Sequence, residues 1–265
     1  MSTGGMKHTK GLIALFLMVF LAACVTTTTN ERGYSDKIND EQAVQSSVTA
    51  AREYLSRGDS DNALRHLRVA LDTGGDQYAE VHSVMAYAFE IRMDFDQADV
   101  HYREAIEIDP ELSSARNNYG VFLYKQGRYD EARSQFEVVT ADLLYERRAA
   151  SFMSLGLCEL KLDNVTGAEY AFERSLALDR GYPAPMLELA DIYIAQNSVV
   201  KAERFYNAYR AEVSRQNPRG LLIGIKIALK SSDKDALASY TLALKNLYPE
   251  SDEYKEYVSE YSSES

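Results

Sequence analysis

Few residues of this chain are of a type that carries chemistry: two cysteines, four histidines and a large number of carboxylates. No zinc-protease HExxH, no phosphate-cradling or dinucleotide glycine motif and no G-x-S-x-G elbow occurs. The acids are spread along the chain, and no carboxylate pair suited to acid–base work stands out. These absences argue against an enzyme and against a metal centre. Composition narrows the field further. The chain has 265 residues, 46% of them hydrophobic and 26% charged, so it can bury a core. Its formal charge of −11 excludes nucleic acid as a natural partner, because phosphate binding needs a cationic face.

Cys24 sits in a telling place. Residues 1–10 carry Lys7 and Lys10 and no acid; Gly11 to Phe20 are almost wholly apolar, and the run continues to Ala23. This is the basic-then-apolar order of a signal peptide. The run is short of the ~20 residues of a membrane-spanning helix, which weighs against a retained signal anchor. A signal cut at an ordinary small-residue site is a second alternative. Leu21-Ala22-Ala23-Cys24 resembles the lipobox of bacterial lipoproteins. The resemblance implies that the thiol of Cys24 takes a diacylglycerol, that residues 1–23 are removed, and that the new amino group is acylated. The covalent lipid is then the only cofactor. One acyl chain binds a membrane marginally, whereas several hold firmly at ~0.8 kcal/mol per buried methylene. Val25, where inner-membrane lipoproteins tend to carry Asp, implies the periplasmic face of the outer membrane. Processing removes Lys7 and Lys10 and takes the formal charge from −11 to −13. Cys158, in an apolar stretch and left without a thiol partner, reads as a buried free thiol. Residues 24–43 read as the lipidated end and a polar tether.

The elements that follow repeat. "DQADVHYREAIEIDP" from Asp96, "YDEARSQFEVVTADL" from Tyr129 and "VTGAEYAFERSLALD" from Val165 align. Each has a small residue, an aromatic four later and usually a small residue three later: Ala98-Tyr102-Ala105, Ala132-Phe136-Val139 and Ala168-Phe172-Ser175. The first alanines stand 34 and 36 residues apart. The triplet continues as Ala63-Leu67-Ala70, Ala202-Tyr206-Tyr209 and Ala236-Tyr240-Ala243. A second small residue lies 12 residues before each triplet: Ala51, Ala86, Gly120, Gly156, Ala190 and Gly224. Steps of four and three place each triplet on one helical face. Turn residues separate the two signatures at Gly58-Asp59, Gly127-Arg128, Asp163-Asn164, Asn197-Ser198 and Ser231-Ser232, with Met93-Asp94 a weaker turn.

A helix–turn–helix unit of this length resembles the tetratricopeptide repeat. The resemblance implies an all-α, right-handed superhelical solenoid of six repeats, twelve helices in all, over 44–77, 79–112, 113–146, 149–182, 183–216 and 217–250. Residues 251–265 are expected to be an acidic tail that extends the last helix as a polar cap and then frays. His66 and His101 fall close to the aromatic slots and His82 stands in a first helix; they read as register and surface, with no metal. Such solenoids bind partners on a concave face lined by first helices. In that register the candidate partner-binding residues are Val48, Arg52, Leu55, Tyr87, Asn117, Val121 and Tyr124, with Ser83, Glu90, Met153 and Leu157 beside them. Arg52 and Asn117 alone do not make a carboxylate clamp, and a largely apolar groove suits an amphipathic helix or extended segment.

Six such repeats behind a lipid anchor resemble the type IV pilus biogenesis lipoprotein family, PilF/PilW. This implies a pilotin: a binding protein that helps the pilus secretin subunit reach the outer membrane and multimerise, as pilus assembly and twitching motility require. The alternative is a repeat lipoprotein serving another envelope assembly, such as outer-membrane protein insertion or cell-wall enzymes.

Overall fold

The computed structural model describes residues 30–261, and Cys24 lies outside them. Thirteen α-helices and no strand occur among the described residues: α1 (Asn30–Ser56), α2 (Ser60–Asp72), α3 (Ala79–Ile91), α4 (Phe95–Ile108), α5 (Ser113–Lys125), α6 (Tyr129–Ala141), α7 (Arg148–Lys161), α8 (Val165–Leu178), α9 (Pro183–Ala195), α10 (Val199–Glu212), α11 (Pro218–Ser231), α12 (Lys234–Leu247) and α13 (Asp252–Glu256). No described helix is long and apolar enough to cross a membrane. Neighbouring helices pack in pairs, α1 with α2 in the first unit and α5 with α6, α7 with α8, α9 with α10 and α11 with α12 in the second, the arrangement of a tetratricopeptide solenoid. The described residues divide into two compact units, with the boundary between His101 and Tyr102, inside α4.

Residues 30–43 depart from the expected tether. They are helical and continuous with the repeat's first helix, so α1 runs for 27 residues. Residues 30–43 contain no proline and a single glycine, and a preformed helix C-terminal to them lets the turns propagate.

The repeat signature becomes packing. In the first unit Ala63, Leu67 and Ala70 of α2 meet Val44, Val48, Ala51 and Leu55 of α1 and Val81, Val84, Met85 and Ala88 of α3. In repeats three and four the small residue of the first helix faces an aromatic of its partner helix. A methyl added at Gly120 would come within 2.9 Å of the Phe136 ring, and one at Gly156 within 2.4 Å of Phe172. The triplets Ala132-Phe136-Val139 and Ala168-Phe172-Ser175 are fully buried. These contacts let paired helices approach closely, and a larger side chain would have to push them apart.

The turn within each pair has one geometry. Gly58, Met93, Gly127, Asp163 and Asn197 occupy the same place in repeats one to five, Ser232 makes the same turn one residue later in repeat six, and all six have φ between 57° and 76°. Glycine adopts that left-handed conformation without cost, asparagine and aspartate tolerate it, and methionine does so least readily. The next residue often caps the second helix: Asp59, Asn164 and Asp233 accept the backbone N–H three residues on, at 3.1, 3.1 and 3.0 Å.

The tail differs from expectation. Pro249 ends α12, Ser251 caps α13, and a π-helical turn follows over Tyr257–Tyr261. Tyr257 is buried against Leu221, Leu222, Ile225 and Leu244, with Tyr254 and Tyr261 beside it. Asp252 and Glu260 are exposed and Glu253 and Glu256 half-buried, and the tyrosines at 254, 257 and 261 make an apolar stripe that docks the segment.

Candidate functional site

The candidates for the concave face stand on the first helices of repeats one to four, and burial separates their positions by register. Val48, Ser83, Asn117, Met153, Leu187 and Leu221 hold the same place in successive repeats, and every one is buried. The residue four later is open in five of the six repeats: Arg52 and Tyr87 are exposed, Val121, Leu157 and Asp191 are half-buried, and only Ile225 in repeat six is buried. The third position is mixed, with Leu55 buried and Glu90, Tyr124 and Leu160 half-buried.

Three expected groove residues are therefore corrected. Val48 and Leu55 pack into the core of the first unit and present no surface to a partner. Asn117 is buried, and its Oδ1 accepts the hydroxyl of Ser151 at 2.9 Å, which ties α5 to α7. A buried amide so engaged stabilises the stacking of two repeats and is not offered to a ligand.

The remaining four face solvent. Arg52 holds Glu80 at 2.8 Å, and Gln45 donates to the same carboxylate at 3.2 Å. Tyr87 has 44% of its surface exposed, high for an aromatic on a helix whose other faces are packed. In the second unit Val121 stands beside the Tyr124 phenol, which meets Tyr129 edge-on at 5.3 Å. Burial raises the Tyr124 phenol above its ordinary range, so it stays a neutral donor.

Sequence reasoning missed a charged station in repeats five and six. Glu188 is buried in α9, and the guanidinium of Arg219 at the start of α11 grips it with two hydrogen bonds, one at 2.6 Å. The same guanidinium reaches Asp191 at 3.1 Å. These carboxylates, Glu188 first, hold Arg219 even further above its ordinary range. Asp191 and Ile194 share a cleft of about 360 Å³ with Lys226, Leu229, Lys230 and Tyr261. Lys226 pairs with Glu256 of α13 at 2.8 Å. The signal was present in the sequence: Glu188 interrupts the apolar run "PMLELADIY", where an acid needs a partner.

Cys158 and His82 lie inside the fold. Cys158 is a free, buried thiol, and burial pushes it up to about 12, which leaves it protonated and inert near neutrality. His82 is not on the surface. It is buried, with Nε2 3.1 Å from the Asp76 carbonyl and Nδ1 3.1 Å from Nδ1 of His101. A carbonyl only accepts, so Nε2–H of His82 donates to it and Nδ1 accepts from His101.

Helix pairs with this signature, this turn and this open column define a tetratricopeptide-repeat protein, and tetratricopeptide-repeat models match residues 101–134, 123–183 and 159–221. The chain is 37% identical over 251 residues to the type IV pilus assembly protein PilF of Pseudomonas aeruginosa, covering 95% of this chain and 98% of that one. It belongs to that type IV pilus assembly family. The solved structure of Pseudomonas aeruginosa PilF superimposes with a TM-score of 0.78 at 36% identity, covering 84% of this chain and 99% of that one. PilW, described as a widely conserved type IV pilus biogenesis factor, superimposes with a TM-score of 0.72 at 26% identity, covering 82% and 99%. This chain is a tetratricopeptide-repeat protein of type IV pilus biogenesis.

Proposed function

We propose that this chain is an outer-membrane lipoprotein, acylated at Cys24 and facing the periplasm, that binds the secretin subunit of the type IV pilus and promotes its multimerisation. It acts by binding and not by catalysis, with the covalent lipid as its only cofactor. The observation that carries the reading is the set of open first-helix residues in each unit of a chain related to PilF along 95% of its length. Arg52 and Tyr87 in the first unit and Val121 and Tyr124 in the second stay accessible while the residues around them pack. An apolar anchor surrounded by hydrogen-bonding groups suits a helical or extended segment of a partner.

The test is direct. Tyr87→Ala and Val121→Lys alter exposed or half-exposed groups and leave the helical signal in circular dichroism unchanged. Each is expected to weaken secretin binding by ~2 kcal/mol, roughly thirtyfold, and to reduce secretin multimers in the outer membrane. If both variants fold and still support normal multimers and twitching, this column is not the binding site. Cys24→Ser separates the anchor from the binding face: the variant should lose fatty-acid label and outer-membrane fractionation while retaining affinity for the purified secretin segment.

A further inference from the structure

The loops between successive repeats of the second unit form a controlled comparison. Asp109, Asp142 and Asp179 each turn the carboxylate back so that Oδ1 accepts the backbone N–H two residues on: from Glu111 at 3.0 Å, Leu144 at 2.9 Å and Gly181 at 3.0 Å. In each loop the carbonyl of that Asp also accepts from the N–H three residues on, of Leu112, Tyr145 and Tyr182. The two residues inside this bracket are free to vary. They are Pro110-Glu111 in one loop and Arg180-Gly181 in another, all exposed. The middle loop places Leu143-Leu144 there, with 75% and 91% of their surfaces in solvent. Leu144 is the most exposed large apolar residue among those described.

Neither the backbone nor the core asks for leucine at this tip. The loop is nonetheless braced. Ser113 donates to Asp142 Oδ2 at 2.6 Å, the Arg148 side chain donates to the Thr140 carbonyl at 2.7 Å, and the Arg148 N–H donates to the Tyr145 carbonyl at 3.1 Å. The two side chains are therefore held out in advance of any contact, which lowers the ordering cost of making one. Their surroundings are balanced in charge, Asp142 and Glu146 against Arg147 and Arg148, in a chain of formal charge −11. An anionic surface repels the chain as a whole but not this point. A protruding apolar pair also suits a soft surface that needs no preformed pocket.

We propose that Leu143 and Leu144 insert into the interface of the bilayer that carries the chain's lipid anchor, so that the second unit lies against the membrane in one orientation. The proposal rests on the reading of Cys24 as the attachment point. Two leucines do not hold a free protein on a membrane. On an anchored chain the second contact is intramolecular, and a weak insertion is then enough to populate the bound orientation.

The chain has no tryptophan, so Leu144→Trp installs a single indole. The variant is coupled through Cys24 to a maleimide-bearing lipid in phosphatidylethanolamine–phosphatidylglycerol vesicles; buried Cys158 does not compete. Chemical coupling makes this experiment independent of acylation in cells, which fatty-acid labelling reads separately. Indole emission should shift to the blue on coupling, and lipids brominated along the acyl chain should quench it. Val200→Trp, at a helical site 81% exposed, should keep water-like emission under the same conditions. Emission from Leu144→Trp that matches the uncoupled protein and escapes the brominated lipids overturns the proposal. So does a blue shift that appears only when envelope protein is added, which would assign the leucine pair to a protein partner.

Discussion

Repeats four and five of the second unit set different chemistry at one address. Leu157 of α7 and Asp191 of α9 hold the same place in their repeats, four residues beyond a buried position and one beyond the small residue that fits its aromatic. In repeat four that place continues an apolar stretch begun at Val121. In repeat five it belongs to an ion network in which Arg219 joins Asp191 to buried Glu188. The scaffold fixes where the side chain stands, and a single substitution there, together with one partner on the next first helix, changes what it can recognise. An apolar stretch gains by excluding water from whatever it meets. The charged station is already satisfied within the chain, so it contributes selectivity more than affinity.

Arg219 is the place where that comparison breaks most sharply. Arg219→Leu leaves Glu188 buried without its counter-charge and should cost ~3–5 kcal/mol, seen as a lowered urea midpoint. Adding Glu188→Gln to it should recover most of the loss, because a neutral amide is far cheaper to bury. If Arg219→Leu alone leaves the midpoint unchanged, the network is not part of what holds repeats five and six together. The scaffold half of the comparison is probed by Ala132→Leu. Its methyl is fully buried beside α5, and overpacking should cost ~1–3 kcal/mol, read as a lower thermal midpoint. No change would mean that the shared small-residue register does not govern packing. The smallest effect is expected at the turn common to all repeats. Met93 has φ 61° and an exposed side chain, so Met93→Gly relieves a left-handed residue and should raise stability by ~0.5–1 kcal/mol. Gly127→Met should lose a similar amount in the same assay.

The fold was legible because every local choice recurs at one period. Small-aromatic-small triplets, a small residue 12 positions earlier and turn-forming pairs between them all point to the same helix pair, and each is a constraint that neighbours cannot override. The face was less legible. Val48 and Arg52 sit on one stripe of α1 four residues apart, and periodicity alone treats them alike; only the position of the adjacent first helix decides that one is buried and the other open. Asn117 was misread for the same reason, since its partner Ser151 lies 34 residues away in α7. The Glu188–Arg219 pair spans 31 residues and could be suspected only from an acid stranded in an apolar run. The tail was read by its charge, whereas its three tyrosines, spaced to share one side of a helical segment, determine where it lies.

That tail decides how much of the array's last face meets water. A stack of helix pairs has an open end, much as a sheet has an edge, and whatever apolar surface remains there invites a further copy. Here α13 and the turn after it seat Tyr257 on Leu221, Leu222 and Ile225, on the flank of α11. Five residues of helix span only about 8 Å, too little to cover the last pair, and a cleft of about 630 Å³ remains between Leu229, Leu237, Thr241, Leu242 and Tyr257. Tyr257 belongs at once to the buried cluster and to the wall of the cleft, so the tail seals one side of the terminal surface and leaves the other side open to solvent.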